Sequence, residues 1–459
     1  MDSLIVRGEG CYLIDAEGKR ILDLAAGQFC SILGHNHKEF RSRLHAQIDN
    51  GIHLGDQYVS PGILQAASRL AGIAPGALNK VIFLSTGSEA NEVAMRIAKL
   101  VTGRTGMLAF TRGYYGISLA TRTLSSISDH PGSNDFQPAP INQFKLMTPH
   151  CKRCPIGLKH PECTLVCMNV SFETLGDHVE NIAGVIVEPI VSAGGMIFPQ
   201  ANYLQALYSK AKQVGALFIV DEAQTGFGRT GRWFDIEHAG VVPDILVVSK
   251  TAGNGYPAAA IIVSDEVAES LETQGFSHLS SHQNDPLAAA AVHAVIDIVQ
   301  NEGLVQHSAD VGLYFVDRLR SLQQEHPLIS DVRGRGLMIA LELSESAADK
   351  SENLALHLAM LCERRGMHIT FSYYEPVIRF IPPLILSKDE VDIAILILDE
   401  VLGILEKGRS ELSHVLPQNP RSGPLVKRMS GGNLSPVRLA RKMWRTSPQQ
   451  WVEKLKKLG

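Results

Sequence analysis

From residue 80 onward, short apolar runs recur at the spacing of strands separated by helices. Val81-Ile-Phe-Leu84 leads into Thr86-Gly-Ser-Glu-Ala-Asn91, which opens an alanine-rich helix reaching Leu100. The runs Met107–Phe110, Gly184–Val187, Leu217–Val220, Ile245–Val248 and Ala259–Val263 follow, most of them separated by segments of helical pattern. Runs that are apolar on both faces, alternating with helices, predict an α/β fold whose mainly parallel sheet is covered on both sides.

Beyond Pro286 a long helix leads away from that sheet, through Val299. Residues 310–407 then read as a smaller α+β unit, with a helix near 309–325, strands near 337–343 and 377–381, and a last helix from Lys388. The pattern divides the chain into an amino-terminal segment, 1–50, packing with the small unit, and a large unit, 51–305, with a cysteine-containing insertion at about 125–170. A small unit, 306–407, and a tail, 408–459, complete it.

Charge separates the tail from the rest. Residues 408–459 carry 11 Lys or Arg against 2 Asp or Glu, so the net charge of -4 combines a basic tail with an acidic body. The tail is rich in Ser, Pro and Gly up to Pro436, a composition that argues for disorder; no nucleic-acid or membrane partner is assigned to it. At 459 residues and 45% hydrophobic content the chain can bury a large core. No apolar stretch approaches the roughly 20 residues that span a bilayer, and the start lacks a signal or transit pattern. Seven cysteines, an odd number, suit a reducing compartment, and the cytoplasm is the expected location.

The ends of the runs carry the candidate chemistry. Asp221 closes one apolar run and Lys250 another, at the carboxyl ends where open parallel sheets bind ligands. A lysine amine that forms a Schiff base and a carboxylate that keeps a pyridine nitrogen protonated suit pyridoxal 5'-phosphate. Thr86-Gly87-Ser88, at a strand-to-helix turn, suits a phosphate or serves as a plain helix cap. Tyr114 offers an aromatic face or fills the core, and Gln224 an amide three residues beyond Asp221.

The run Ile219-Val-Asp-Glu-Ala-Gln-Thr-Gly-Phe-Gly-Arg-Thr-Gly231, with Pro243-Asp244 and Ser249-Lys250, resembles the signature of the class III (ω-type) aminotransferases, and Leu84–Glu92 and Val332–Gly336 agree with it. The resemblance covers about residues 1–407. It implies a fold type I transferase with a seven-stranded sheet, Lys250 as Schiff-base lysine, Asp221 on the pyridine nitrogen and Gln224 on the ring oxygen. Thr86, Gly87 and Ser88 would bind phosphate and Tyr114 would stack on the ring. It also implies a homodimer, with pairing of dimers an open alternative, in which Ser281 reaches the partner's phosphate. The substrates would be an amino acid and a 2-oxo acid.

Within the family the nearest resemblance is to the 2,2-dialkylglycine decarboxylases. Gly27-Gln28 ahead of Leu33-Gly-His-Asn-His37 places Gln28 beside a scissile carboxylate, and Arg379 corresponds to the arginine that binds a substrate carboxylate. Ser281-His-Gln-Asn-Asp285 resembles a loop that holds an alkali ion, potassium or sodium, with Leu54, Ser281, Gln283 and Asp285 as oxygen donors. The expected reaction is loss of carbon dioxide from a substrate such as 2-aminoisobutyrate, then transamination of a 2-oxo acid such as pyruvate. The alternative is a non-decarboxylating aminotransferase using an ω-amine or α-amino acid, in which Gln28 only shapes the pocket.

Several positions depart from the decarboxylase pattern: Ala193 replaces a serine, Tyr114 a tryptophan, Tyr115 a histidine and Asp56 a serine at the alkali site. The chain also starts at its first small-unit strand, without the opening segment that family members lay over the site. Cys151, Cys154, Cys163 and Cys167 have spacings that fit either a zinc site or reduced thiols in a covering loop.

Overall fold

In the computed structural model, residues 4–55, 57–126, 142–159, 163–344, 354–372 and 375–407 are described. The basic tail and Asp56 lie outside these residues.

The central sheet has seven strands in the order Leu78–Leu84, Ala259–Ser264, Ile245–Val248, Leu217–Asp221, Ile182–Val187, Gly106–Phe110 and Gln143–Leu146. Only Ala259–Ser264 runs against its neighbours; the remaining pairs are parallel. The four inner strands from Ile245 to Phe110 are buried at every position. That burial explains why they read as unbroken apolar runs. One face packs on the helix Gly87–Thr102 through Val93, Ala94, Ile97 and Ala98, and the other on Pro286–Asn301 and Tyr203–Gln213. Ser60 caps the helix Pro61–Ile73, with Pro61 in its first turn, where a missing N–H costs nothing.

The seventh strand, Gln143–Leu146, comes from the stretch that sequence pattern assigned to an insertion. It is four residues long, alternates polar and apolar positions, and lies at the sheet edge. No buried-type run therefore marks it.

Two four-stranded sheets complete the fold. Ile5–Glu9, Tyr12–Asp15 and Arg20–Asp23 form an antiparallel meander, to which Met367–His368 adds in parallel beside Arg20–Asp23. Leu22 and Asp23 thus pair with Met367 and His368, far along the chain. Ile329–Arg335, Met338–Leu343, Val377–Phe380 and Thr370–Phe371 form the other sheet, backed by Leu304–Glu325 and Leu354–Arg364, on which Lys388–Lys407 packs in turn. No helix of the described residues is long and apolar enough to cross a membrane.

Three backbones meet where the helix Leu304–Glu325 crosses the turn between Arg335 and Met338 and the loop after Asp221. A Cβ on Gly312 would come 2.1 Å from the Gly336 carbonyl oxygen, and one on Gly336, which has φ +52, would come 2.5 Å from the Arg229 oxygen. Gly231, at φ +82, faces Ala309 in the same way at 2.9 Å. Arg229, fully buried, donates to the carbonyls of Leu337 and Pro382. Half of the signature run therefore joins the sheet's loops to the second unit.

Gly312→Ala should force these backbones apart and cost about 1–3 kcal/mol, read as a lowered denaturation midpoint with the slope unchanged. An unaltered midpoint would show that the crossing has slack.

Candidate active site

At the carboxyl ends of the parallel strands lies a cleft of about 220 Å³, lined by Tyr114, Glu188, Ile190, Asp221, Ala223, Gln224, Thr225 and Lys250. Of the candidate residues it brings together Tyr114, Asp221, Gln224 and Lys250. Lys250 follows its strand in a short turn with φ +38, and its Nζ lies 5.9 Å from the centre of the Tyr114 ring.

Asp221 is held by neutral donors. Its Oδ1 accepts the Ala223 amide at 2.9 Å and its Oδ2 accepts Asn91 Nδ2 at 2.7 Å. Asn91 also donates to the Tyr115 carbonyl at 2.8 Å, which fixes the side chain in its helix. Burial raises the Asp221 pKa, while Asn91, the Ala223 amide and the Lys250 charge pull it back. Gln224 Oε1 accepts the Ser192 hydroxyl at 2.8 Å, leaving the amide nitrogen as its donor toward the cleft.

A second carboxyl, Glu188, is fully buried beside Asp221. It accepts the Tyr114 amide at 2.7 Å and the Ser192 amide at 3.4 Å. Burial, followed by the Asp221 charge, pushes it up to about 8. Two carboxyls sharing one dry site do not both ionise readily. Neither Glu188 nor Asn91 nor Ser192 was singled out from sequence. Glu188 stands just beyond the strand Ile182–Val187, the same position relative to a strand that drew attention to Asp221 and Lys250.

Thr86 caps the helix Gly87–Thr102, its hydroxyl accepting the Glu89 amide at 3.2 Å. The amides of Gly87 and Ser88, in the first turn, have no intrahelical acceptor. A Cβ at Gly87 would come 2.6 Å from Ser249 Oγ, so the helix start abuts the residue before Lys250. Ser88 Oγ is spent on the Ile117 amide, at 3.1 Å.

Gln28 is not among the residues lining the cleft, and its side chain is exposed. It sits in a turn with positive φ at Ala26 and Phe29, pinned by buried Asp23, whose carboxylate accepts the Ala25 and Gly27 amides and meets His35 Nε2 at 2.8 Å. His37 instead caps Lys38–Asn50 and meets Glu302. Arg379 is nearly buried, with its guanidinium 5.0 Å from the Phe29 ring centre. Cys30 lies close enough to Lys250 to feel its charge.

Ser281 is exposed. The oxygens of Asp285, expected to face an alkali ion, meet two imidazoles, His53 Nδ1 and His282 Nδ1, each at 2.5 Å. Cys151, Cys154, Cys163 and Cys167 are all free thiols lining one cavity of about 400 Å³, where Gln200 donates to Cys151 Sγ at 2.9 Å. Among the described residues no three of these sulfurs come within 4.8 Å of one another. Their loop is clamped by His150 on Glu375 and Arg153 on Glu342, at 3.0 and 2.8 Å.

The profile of the family described as aminotransferase class III matches residues 1–402. An uncharacterised aminotransferase of Schizosaccharomyces pombe is 34% identical over 411 residues, covering 88% of this chain and 91% of the relative. A probable 4-aminobutyrate aminotransferase of Bacillus subtilis is 33% identical over 88% of this chain and 92% of its own. Among solved structures, an amine transaminase from an uncultivated Pseudomonas species, with pyridoxal phosphate bound, superposes with a TM-score of 0.81 at 28% identity, over 88% of this chain and 95% of that one.

The Glu188 carboxyl gives the cofactor-free protein a pH dependence. Unfolded, it loses its proton near 4.5; folded, it keeps it to about 8. The folded state thus binds the extra proton between those values, and stability falls as pH rises through them. Glu188→Gln should make that decline shallower, so the melting temperature of wild type relative to the variant drops from pH ~5 to ~9. A difference independent of pH would mean that Glu188 is ionised throughout.

Proposed function

The chain belongs to the class III aminotransferase family, and within it we propose a non-decarboxylating enzyme that moves an amino group from an ω-amine or α-amino acid to a 2-oxo acid. The observation that carries this reading is the convergence of Asp221, Lys250, Gln224 and Tyr114 on one cleft. The donor set fits pyridoxal phosphate. A buried carboxylate with only neutral hydrogen-bond donors calls for a cation such as a protonated ring nitrogen, and Lys250 supplies an amine for an aldehyde. The Gln224 nitrogen suits a ring oxygen, and the start of the helix Gly87–Thr102 suits a phosphate. When bound, the cofactor supplies an electron sink for the bonds at the carbon that bears the substrate nitrogen.

The chain's own residues do the rest. Asp221 would hold the proton on a ring nitrogen set against it, and Glu188, mostly neutral at pH 7, leaves that carboxylate as the principal anion of the pair. Lys250 Nζ would accept the proton lost by the substrate carbon that bears the nitrogen, hold it as an ammonium, and hand the same proton on within the cleft. Tyr114 covers the ring face and excludes water. Arg379 takes the substrate carboxylate, with Phe29 against its guanidinium.

Two observations support this over the decarboxylating alternative. The relatives above are named as aminotransferases, and the Gln28 side chain is exposed, on a turn fixed by Asp23. In this reading Gln28 shapes the entrance. The homodimer belongs to the same proposal. Ile52, Tyr58, Val59, Ile117, Leu119 and Leu279 are more than half exposed, and a self-association would cover them. Ser281 would then reach toward the partner's phosphate end. Seven free thiols suit a reducing compartment, the cytoplasm.

A single-turnover assay of the holoenzyme decides between the reactions. L-alanine or an ω-amine should convert the cofactor to its amine form without carbon dioxide, and carboxyl-labelled 2-aminoisobutyrate should release none. Lys250→Ala should lower turnover by at least about 10³-fold, and Gln28→Ala by less than about tenfold. Label released as carbon dioxide, with acetone, would restore the decarboxylating reading.

Light scattering in solution should give a mass twice that of the 49.9 kDa chain. Val59→Asp with Leu119→Asp should yield monomer. A monomeric wild type would sink the homodimer.

A further inference from the structure

The Asp285 carboxylate is 7% exposed and is engaged from both sides by imidazoles rather than by a lysine or arginine. His53 and His282 each bring Nδ1 to one of its oxygens, their rings lie 5.3 Å apart at an angle of 57°, and the three donor atoms all lie within 4.8 Å of one another. The histidines are half to two-thirds exposed. They are the only group of three such donors among the described residues.

The scaffold holds this arrangement from two sides. The Asn284 amide donates to the Phe83 carbonyl at 3.0 Å, and Asn284 Oδ1 accepts the Phe83 amide at 3.0 Å, in a left-handed conformation with φ +54. That double link ties His282 and Asp285 to the strand Leu78–Leu84. Asp285 then begins the helix Pro286–Asn301. His53 arrives on the other side, from the connection between Lys38–Asn50 and Pro61–Ile73. Nearby, Gln283 Oε1 is buried without a hydrogen-bond partner.

We propose that His53, His282 and Asp285 bind a divalent transition cation of the zinc type. The donor chemistry decides the class of ion. Sodium and potassium take oxygen ligands, whereas two imidazole nitrogens and a carboxylate suit Zn²⁺, Co²⁺ or Ni²⁺. An alkali ion at Asp285 would have to displace both histidines from its one charged ligand. For zinc, ligand distances of about 2.0–2.2 Å put neighbouring donor atoms a little over 3 Å apart, so the carboxylate and imidazoles need separate by less than about 1 Å to admit the ion. Each imidazole then carries its proton on Nε2 and turns the Nδ1 lone pair to the metal. A fourth position remains for water. The ion joins the two connections where hydrogen bonds to a shared carboxylate now do.

The test uses holoenzyme stripped with a chelator, dialysed against Zn²⁺ or Co²⁺, and analysed for bound metal. About one ion per chain should be retained, and a hundredfold excess of K⁺ should leave it in place. Co²⁺ should show visible ligand-field bands without the near-ultraviolet band of thiolate ligation. His53→Ala with His282→Ala should reduce retained metal at least tenfold, and His282→Gln alone should weaken binding. Both histidines are exposed, so the core is spared. Cys151→Ser with Cys154→Ser should retain the full complement. Zn²⁺ should raise the melting temperature of wild type and not of the double histidine variant. No retained ion in wild type, retention unaffected by the histidine substitutions, or displacement by K⁺ would each overturn the proposal.

Discussion

An aspartate buried at a strand end without a lysine or arginine in hydrogen-bond contact is the constraint around which the site is organised. Asp221 cannot move into water, because the strand that carries it is buried at every position. Its neighbours instead supply N–H dipoles, from Asn91 and the Ala223 backbone, and the charge of Lys250 arrives from the adjoining strand. Those donors reduce the desolvation cost without neutralising the anion. A second carboxyl beside it, Glu188, is driven toward its neutral form by the same burial. The negative potential is thus concentrated at one oxygen pair, where a cationic ring nitrogen is stabilised most.

The loop that follows Asp221 serves two parts of the fold in ten residues, 222–231. Its first part, through Thr225, faces the cleft; Gly228 to Gly231 make the joint with the helix Leu304–Glu325 and the sheet that carries Arg379. Arg229 reaches carbonyls at Leu337 and Pro382, so the placement of Arg379, three residues before Pro382, is tied to that of Asp221 through backbone contacts. A shift at the glycine crossing would be felt both at Asp221 and at Arg379. That coupling gives a physical reason for a long signature run of which only the first part lines the cleft.

How much of this is legible in the sequence depends on the kind of order involved. The inner strands are legible because burial on both faces leaves an uninterrupted apolar run ending in one ionisable residue. Gln143–Leu146 was hidden because an edge strand needs no such run, and its surroundings drew attention for their cysteines. Asn91 and Ser192 were hidden for another reason: an amide or hydroxyl acts through its partner, and partners 130 and 32 residues away in the chain are set by the fold. Asp285 stood out in the sequence, but the two imidazoles that meet it did not. His53 and Asp285 are separated by 232 residues, and only their meeting changes the donor set from oxygen to nitrogen and oxygen.

The turn after Lys250 links these regions. Asn254, at φ +44, accepts the Leu33 amide at 2.8 Å, which draws the Gln28–Leu33 segment against the lysine's own loop. Two residues on, the phenol of Tyr256 is raised by burial and then by the charge of Asp285. The lysine's loop therefore touches the turn at the substrate entrance on one side and feels the His53–Asp285–His282 cluster on the other. The position of Lys250 thus rests in part on contacts that its sequence neighbours make outside the cleft.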